Sequence, residues 1–179
     1  MLSFGDFNIQ PIQIEDYWNI CNFVVANENR LKRYFPKTLQ QNSTPDLSKI
    51  FVEKQVKQFE LKEEFLFTLK YNHSKTISGL IYLKAIDWHK KQAEFAYCID
   101  YNFEGQGITT KSIKLLSDYA FKKLNLRTLQ IIVHKTNSAS IKVAENCNFT
   151  WIKTLEKEHA PPGGNALDME LYELYDEIE

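Results

Sequence analysis

The chain has 179 residues, 44% of them hydrophobic and 25% charged, the proportions of an ordinary folded domain rather than of a disordered, fibrous or membrane-embedded protein. Lysine and arginine number 22 against 23 aspartates and glutamates, a formal net charge of −1, without the basic excess that binding to a phosphate backbone requires. Length and composition together predict one domain over residues 1–179, and they exclude a nucleic-acid ligand as the first expectation. The opening Met1-Leu-Ser-Phe-Gly-Asp6 has no basic segment ahead of an apolar run, and no later stretch approaches the ~18 apolar residues of a membrane span. A cytoplasmic location without membrane contact is expected. Cys21, Cys98 and Cys147 are odd in number and widely spaced, which predicts buried reduced thiols. The histidines at 73, 89, 134 and 159 are equally dispersed, so no metal is expected.

In chain order, Phe7 to Gln13 alternates with period two and reads as a strand, kept near an edge by Pro11. Glu15 to Ala26 carries apolar residues at helical spacing behind an acidic first turn. A short helix follows over Asn29 to Phe35, ending before Pro36. Thr44-Pro45-Asp46 has the form of a helix start with proline in the first turn, continuing to about Glu60. Phe65 to Tyr71, Ile77 to Leu83 and Gln92 to Asp100 are rich in β-branched and aromatic residues and separated by polar turns, the pattern of an antiparallel meander. Ile108 to Leu124 reads as a long helix, Thr128 to His134 as a strand, and Ser138 to Asn146 as a helix. Trp151 to Glu158 and Ala166 to Tyr175 close the chain as strands. The fold class is α+β.

Glycine is scarce, six in the whole chain, and two of the six lie in Phe103-Glu-Gly-Gln-Gly-Ile-Thr109, between a strand and the long helix. A glycine turn at a helix N-terminus presents unpaired backbone N–H groups and the positive end of the helix dipole, the requirements for cradling a pyrophosphate. The same residues also fit a tight strand-to-helix turn capped by Thr109 or Thr110, so the turn alone leaves both readings open.

Its surroundings are more specific. Tyr97-Cys-Ile-Asp100, the turn Glu104-Gly-Gln-Gly-Ile-Thr-Thr110, a helix ending Tyr119-Ala-Phe-Lys-Lys-Leu-Asn125, the strand Leu129 to His134, Asn137-Ser-Ala-Ser140 and Asn148-Phe149 together resemble the GNAT acetyltransferases, above all their RimJ/RimL-type branch. The resemblance runs from Ile9 to Tyr172 and is strongest over Glu94 to Phe149. It implies a GNAT-like fold, with a mixed, mostly antiparallel sheet of about six to seven strands and helices on both faces. It implies acetyl-CoA as co-substrate, with no metal. The Q/R-x-x-G-x-G/A pyrophosphate turn of the family falls on Glu104, Gly105, Gln106, Gly107, Ile108 and Thr109, followed by Thr110. Glu104 departs from the family's Gln or Arg and brings a negative charge near the phosphates; Thr109 departs from a small residue and offers a hydroxyl. Main-chain groups of Cys98, Ile99 and Asp100 would serve the reacting thioester. Asn137 would hold the pantetheine arm.

Moving an acetyl group from a thioester to an amine requires a neutral amine, stabilisation of the carbonyl oxygen and protonation of the departing thiolate. The resemblance puts Ser140 near the thioester sulfur as proton donor, since the tyrosine that other members place four residues later is Ala144 here. Asn137 and Ser140 also fit an N-cap with its third helical residue. The proton acceptor falls on Glu158 or His159 at the end of the Trp151 strand, with His159 slightly preferred and Glu94 the second choice. The Ala160 to Asn165 loop would border the acceptor. The acceptor expected is a primary amine, such as the N-terminus of a ribosomal protein, walled by the Arg30-Leu-Lys-Arg-Tyr-Phe35 and Thr44 to Glu60 helices. A polyamine or other small amine is the alternative, although the clearest acidic cluster, Glu170, Glu173, Asp176, Glu177 and Glu179, reads more simply as a tail. A non-catalytic acyl-CoA-binding domain is the reading from a different class, and a homodimer is left open.

Overall fold

A computed structural model describes residues 2–160 and 164–176. In chain order the elements are β1 (Leu2–Phe4), β2 (Phe7–Pro11), a 3-10 turn (Ile14–Asp16), α1 (Tyr17–Ala26), α2 (Glu28–Tyr34), α3 (Pro36–Gln41), α4 (Pro45–Glu60), β3 (Phe65–Tyr71), β4 (Ile77–Asp87), β5 (Gln92–Ile99), a second 3-10 turn (Tyr101–Phe103), α5 (Ile108–Leu124), β6 (Thr128–Val133), α6 (Ser138–Asn146), β7 (Thr150–His159) and β8 (Leu167–Tyr175). The strands pair in the order β1-β2-β3-β4-β5-β6-β8-β7. All pairings given below are antiparallel except β5 with β6. The α+β class and mixed sheet are as expected; among the described residues the strand count is eight, one above the expected range. The additional strand is β1, three residues paired through Leu2 with Ile9 and Phe4 with Phe7, too short to carry a period-two pattern. Helix α3 was also unexpected. Pro36, read as the end of a helix, is the first residue of the next one, where its missing N–H costs nothing.

The backbone groups into two compact units, Met1–Leu83 with Tyr97–Ile108, and Lys84–Ala96 with Thr109–Glu179. In the first unit, β1, β2, β3 and the first part of β4 pair in turn, with Phe7 opposite Tyr71 and Phe65 opposite Leu83. Alternation decides what β2 buries: Phe7 and Ile9 are in the core, while Asn8 and Gln10, each following one of them, are only half-buried. By contrast β3 buries Phe65 to Leu69 without a break, the signature of a strand covered on both faces. Helix α4 begins at a Thr44 cap whose hydroxyl accepts the Leu47 N–H at 3.3 Å, and Phe59 meets the rings of Phe65 and Phe67 edge-on at 4.8 and 5.4 Å. Asp16, 3% exposed, is held by Lys70 Nζ at 2.6 Å and accepts the Gln13 N–H at 3.0 Å. A buried carboxylate needs both partners to offset its desolvation.

One irregularity shapes the end of this unit. Between β3 and β4, Leu69 stands opposite Gly79 but Lys70 stands opposite Ile77, so Ser78 is the extra residue of a β-bulge. The Ser78 carbonyl accepts the Asp100 N–H at 2.8 Å. Beside it, a Cβ on Gly79 would lie 2.9 Å from the Cys98 carbonyl oxygen, so glycine is what allows the end of β5 to approach.

In the second unit β5 runs parallel to β6, from Gln92 opposite Thr128 to Phe95 opposite Ile131. β6 pairs with β8 from Thr128 opposite Tyr175 to Val133 opposite Glu170. Phe95, Ile113, Leu116, Leu126 and Leu129 are fully buried. A polar ladder crosses three strands: Gln92 donates to Gln130 at 3.0 Å, and Gln130 donates to Glu173 at 2.6 Å. Arg127 pairs with Asp176 at 2.5 Å. Strand β7 is exposed at every residue but Leu155 and is bulged twice, with register shifts at Trp151/Lys153 and Leu155/His159.

Candidate active site

The glycine turn is built from the end of β5. After Ile99 the chain makes a 3-10 turn capped by Asp100, whose Oδ1 accepts from the Asn102 backbone N–H at 2.8 Å and from Asn102 Nδ2 at 2.9 Å. Phe103 anchors this turn to the sheet: its ring meets Phe7 edge-on at 5.3 Å and Tyr71 at 5.2 Å. Gln106 donates its side-chain amide to the Asn102 carbonyl at 3.0 Å and closes the loop on itself. Gly105 and Gly107 then take φ of +70° and +72°, a left-handed backbone that disfavours side chains. A Cβ at either would meet nothing within 4 Å, so the turn leaves open space against its own backbone. No backbone acceptor among the described residues takes the N–H of Gly105, Gln106 or Gly107. Helix α5 starts at Ile108, and its first turn, including Thr109 and Thr110, has N–H groups without intrahelical partners. Unpaired donors, a helix dipole and free space suit a pyrophosphate.

The departure at Glu104 has a local answer. The carboxylate forms an ion pair with Arg30 Nη2 from α2, and Arg30 Nη1 donates to the Ile99 carbonyl at 2.6 Å. The negative charge therefore arrives already paired. One helical turn before Arg30, Asn27 accepts the Tyr101 N–H at 3.1 Å and donates to Asp100 Oδ2 at 3.2 Å. Arg30, expected in the acceptor wall, and Asn27, given no role by the sequence, both grip the segment leading into the turn. Beside them a cavity of about 460 Å³ is lined by residues 25–30 and Tyr101.

Among the residues expected at the thioester, Cys98 is buried, and burial pushes its thiol up to about 12, so its side chain is a poor nucleophile. Ile99 has its carbonyl bound to Arg30. The Asp100 N–H is donated to Ser78, and both of its side-chain oxygens are engaged, so it serves the turn's structure.

The second unit carries the remaining expected residues. Asn137 caps α6, its Oδ1 accepting the Ser140 N–H at 3.2 Å, so the capping role is realised. Ser140 is half-buried in the first turn, and its hydroxyl is not the group that makes this cap. Helix α6 is capped at its C-terminus by Cys147, whose thiol donates to the Thr110 carbonyl at 3.4 Å and is pushed up to about 11 by burial. Asn148 takes φ +64°, the left-handed exit that asparagine tolerates best among residues with a side chain.

Glu158 and His159 are both exposed at the end of β7. Strict alternation would send neighbouring side chains to opposite faces. It does not apply here: Leu155 stands opposite Met169 and His159 opposite Leu167, two residues more on β7 than on β8, and Lys157 takes φ +53°. The Lys157 N–H is donated to Asp168 at 2.9 Å. Glu94, the second choice, is in an ion pair with Lys84 at 2.7 Å. Residues 161–163 of the Ala160 to Asn165 loop, and Glu177 and Glu179 of the acidic cluster, lie outside the described residues.

No helix is long and apolar enough to cross a membrane, and no group of three or more metal-binding side chains occurs, among the described residues. No curated protein matches the sequence. Solved structures do resemble it. The ribosomal-protein-S5-alanine acetyltransferase of Vibrio fischeri is 21% identical with a TM-score of 0.91, covering 98% of this chain and 96% of its own. RimL, the ribosomal L7/L12 α-N-protein acetyltransferase solved with coenzyme A, is 19% identical with a TM-score of 0.88 over 98% and 97%. The microcin C7 self-immunity acetyltransferase MccE, solved with acetyl-CoA and AMP, is 20% identical with a TM-score of 0.86 over 97% and 94%. These likenesses establish the fold. The acetyltransferase (GNAT) domain family matches residues 6–150, a span containing the glycine turn and the capped α6 helix, and the chain therefore belongs to the GNAT acetyltransferases, enzymes that use acetyl-CoA as acetyl donor.

Proposed function

We propose that this acetyltransferase acts as one catalytic domain of the RimJ/RimL type and moves the acetyl group to a primary amine, the N-terminus of a protein such as a ribosomal protein. The observation that carries the cofactor half of this reading is the pair of left-handed glycines with open space before α5. The acceptor half is supported by the two ribosomal-protein acetyltransferases whose folds match along nearly the whole chain. In this reading backbone groups from Gly105 to Thr110 bind the pyrophosphate, and the side chain of Asn137 steadies the pantetheine arm while capping α6. The amine nitrogen forms a bond to the carbonyl carbon as the carbon–sulfur bond breaks. Main-chain groups at Cys98 and Ile99 stabilise the carbonyl oxygen, the Ser140 hydroxyl gives a proton to the thiolate, and His159 or Glu158 takes one from the amine.

A polyamine acceptor would want free carboxylates. The described members of the acidic cluster are engaged instead: Glu170 accepts from Trp151 and Thr154 at 2.6 and 3.0 Å, Glu173 accepts from Gln130 and Tyr175, and Asp176 pairs with Arg127. This favours the peptide acceptor. The direct test incubates the protein with acetyl-CoA and, separately, N-terminal peptides of ribosomal proteins, spermidine and small amines, reading thiol release and acceptor mass together. Acetylated peptide is expected, and acetylated spermidine alone would replace this acceptor. In a calorimetric titration Gly107→Val should weaken acetyl-CoA binding strongly, and unchanged affinity in the folded variant would remove the turn from the binding site. Homodimer formation belongs to the same reading and is checked by light scattering.

A further inference from the structure

Arg30 and Glu104 are far apart in sequence, yet their pairing addresses the one feature of the glycine turn that opposes an anionic ligand. A carboxylate immediately before Gly105 repels a pyrophosphate. It is half exposed, whereas the Arg30 side chain is only 24% exposed, so the arginine is the shielded and better-held partner. The planar guanidinium meets two demands at once, one nitrogen on the Ile99 carbonyl and the other on the Glu104 carboxylate, which a lysine ammonium on a flexible stem reproduces poorly. Asn27, buried at the head of the same helix, fixes Asp100 and Tyr101 between those two points. The segment from Ile99 to Glu104 is thus clamped from α2 at both ends and in the middle.

We propose that Arg30 is a positioning residue of the cofactor turn: it holds Glu104 in an ion pair that neutralises its charge, so that affinity for the pyrophosphate depends on the Arg30–Glu104 pair rather than on either residue alone. This rests on the reading of Gly105 to Thr110 as the pyrophosphate site. It also assigns the departure from the family's Gln or Arg at position 104 a partner, a cation supplied by α2 in place of one in the turn.

The test is a double-mutant cycle read by calorimetry with acetyl-CoA and with acetyl-pantetheine, which has no pyrophosphate, using proteins whose folding is verified by thermal unfolding. Arg30→Gln should weaken acetyl-CoA binding about tenfold at low salt and less at high salt, as expected when an unpaired carboxylate faces the phosphates. Adding Glu104→Gln to it should return affinity to within about threefold of wild type, because the repelling charge is gone. Acetyl-pantetheine should bind all four proteins alike. Glu104→Gln alone changes a half-exposed side chain and keeps the inference testable where Arg30→Gln unfolds; it should tighten acetyl-CoA binding about threefold at low salt, since Arg30 is then an unpaired cation. A loss in Arg30→Gln that Glu104→Gln does not restore would reduce Arg30 to a packing residue and overturn the proposal, as would wild-type affinity in both single variants or, where Arg30→Gln unfolds, wild-type affinity in Glu104→Gln. Failure of the underlying site reading is distinguishable, because it shows as unchanged affinity in Gly107→Val.

Discussion

Gly79 in β4 lies so close to the Cys98 carbonyl of β5 that a single added methyl carbon would stand 2.9 Å from that oxygen. Real side chains do not tolerate such a contact with backbone, so Gly79→Ala must push the end of β5 outward. The expected cost is about 1–3 kcal/mol, typical of overpacking, measured as a lower urea midpoint with an unchanged slope. Because the displaced strand carries Ile99 and Asp100 into the glycine turn, the same variant should also bind acetyl-CoA more weakly. Equal stability to wild type would mean that β5 has room the structure does not show.

Ser140 separates two roles that its position combines. Its backbone N–H donates to the capping Asn137 side chain, while its hydroxyl is the proposed proton donor. Ser140→Ala should therefore keep the helix start, leave acetyl-CoA affinity near wild type, and lower kcat by at least about tenfold where chemistry limits the rate. Asn137→Ala should instead cost about 1 kcal/mol of stability through the lost cap. Undiminished turnover in Ser140→Ala would take the hydroxyl out of the reaction.

The base must be unprotonated to accept the amine's proton, so kcat/KM should fall as pH drops and the group becomes protonated. That fall is an acid-side inflection of the pH–rate profile. His159→Ala should abolish that inflection and Glu158→Gln should leave it in place. The reverse outcome assigns the role to Glu158. Retention of the full profile in both variants points to Glu94, which must first leave Lys84, or to an amine deprotonated by solvent.

Cys98 gives a pH dependence of stability with a definite sign. Its thiol is raised to about 12 in the folded protein by burial, while in the unfolded chain it ionises near 8.5, as an ordinary cysteine does. The native state thus keeps a proton that the unfolded state loses. Stability from this group is fully present below about pH 8.5 and declines by up to about 1.4 kcal/mol per pH unit above it, toward the folded value. Urea unfolding across the alkaline range should show a shallower decline for Cys98→Ala than for wild type. Parallel slopes would mean that the thiol is not shielded as the structure places it.

Much of the fold could be read from local patterning, because period-two and helical spacings are properties of a few neighbouring residues. The helix from Pro45 and the long helix from Ile108 have their expected bounds for that reason. Short elements escaped: three residues of β1 hold no period, and Pro36 signals a stop and a start equally well. The Gly79 contact had a visible cue, an isolated glycine inside a strand pattern. Arg30 with Glu104 had none, since only the folded chain brings α2 to the turn. The doubled bulge in β7 is likewise set by pairing with β8, and so the choice between Glu158 and His159 could not be made by counting alternate residues.

That bulged strand also bears on how the protein meets copies of itself. β7 is one margin of the sheet and β1 the other, and a margin with free N–H and C=O groups invites another sheet to join it. At β1 the described residues offer three positions for such pairing. At β7 two register shifts and the left-handed Lys157 interrupt the regular spacing of those groups, while exposed Lys153 and Lys157 would bring charge against any incoming strand. A continuous sheet across two molecules would first have to straighten β7, so both ends of the sheet are guarded against the edge-to-edge growth that leads to aggregation.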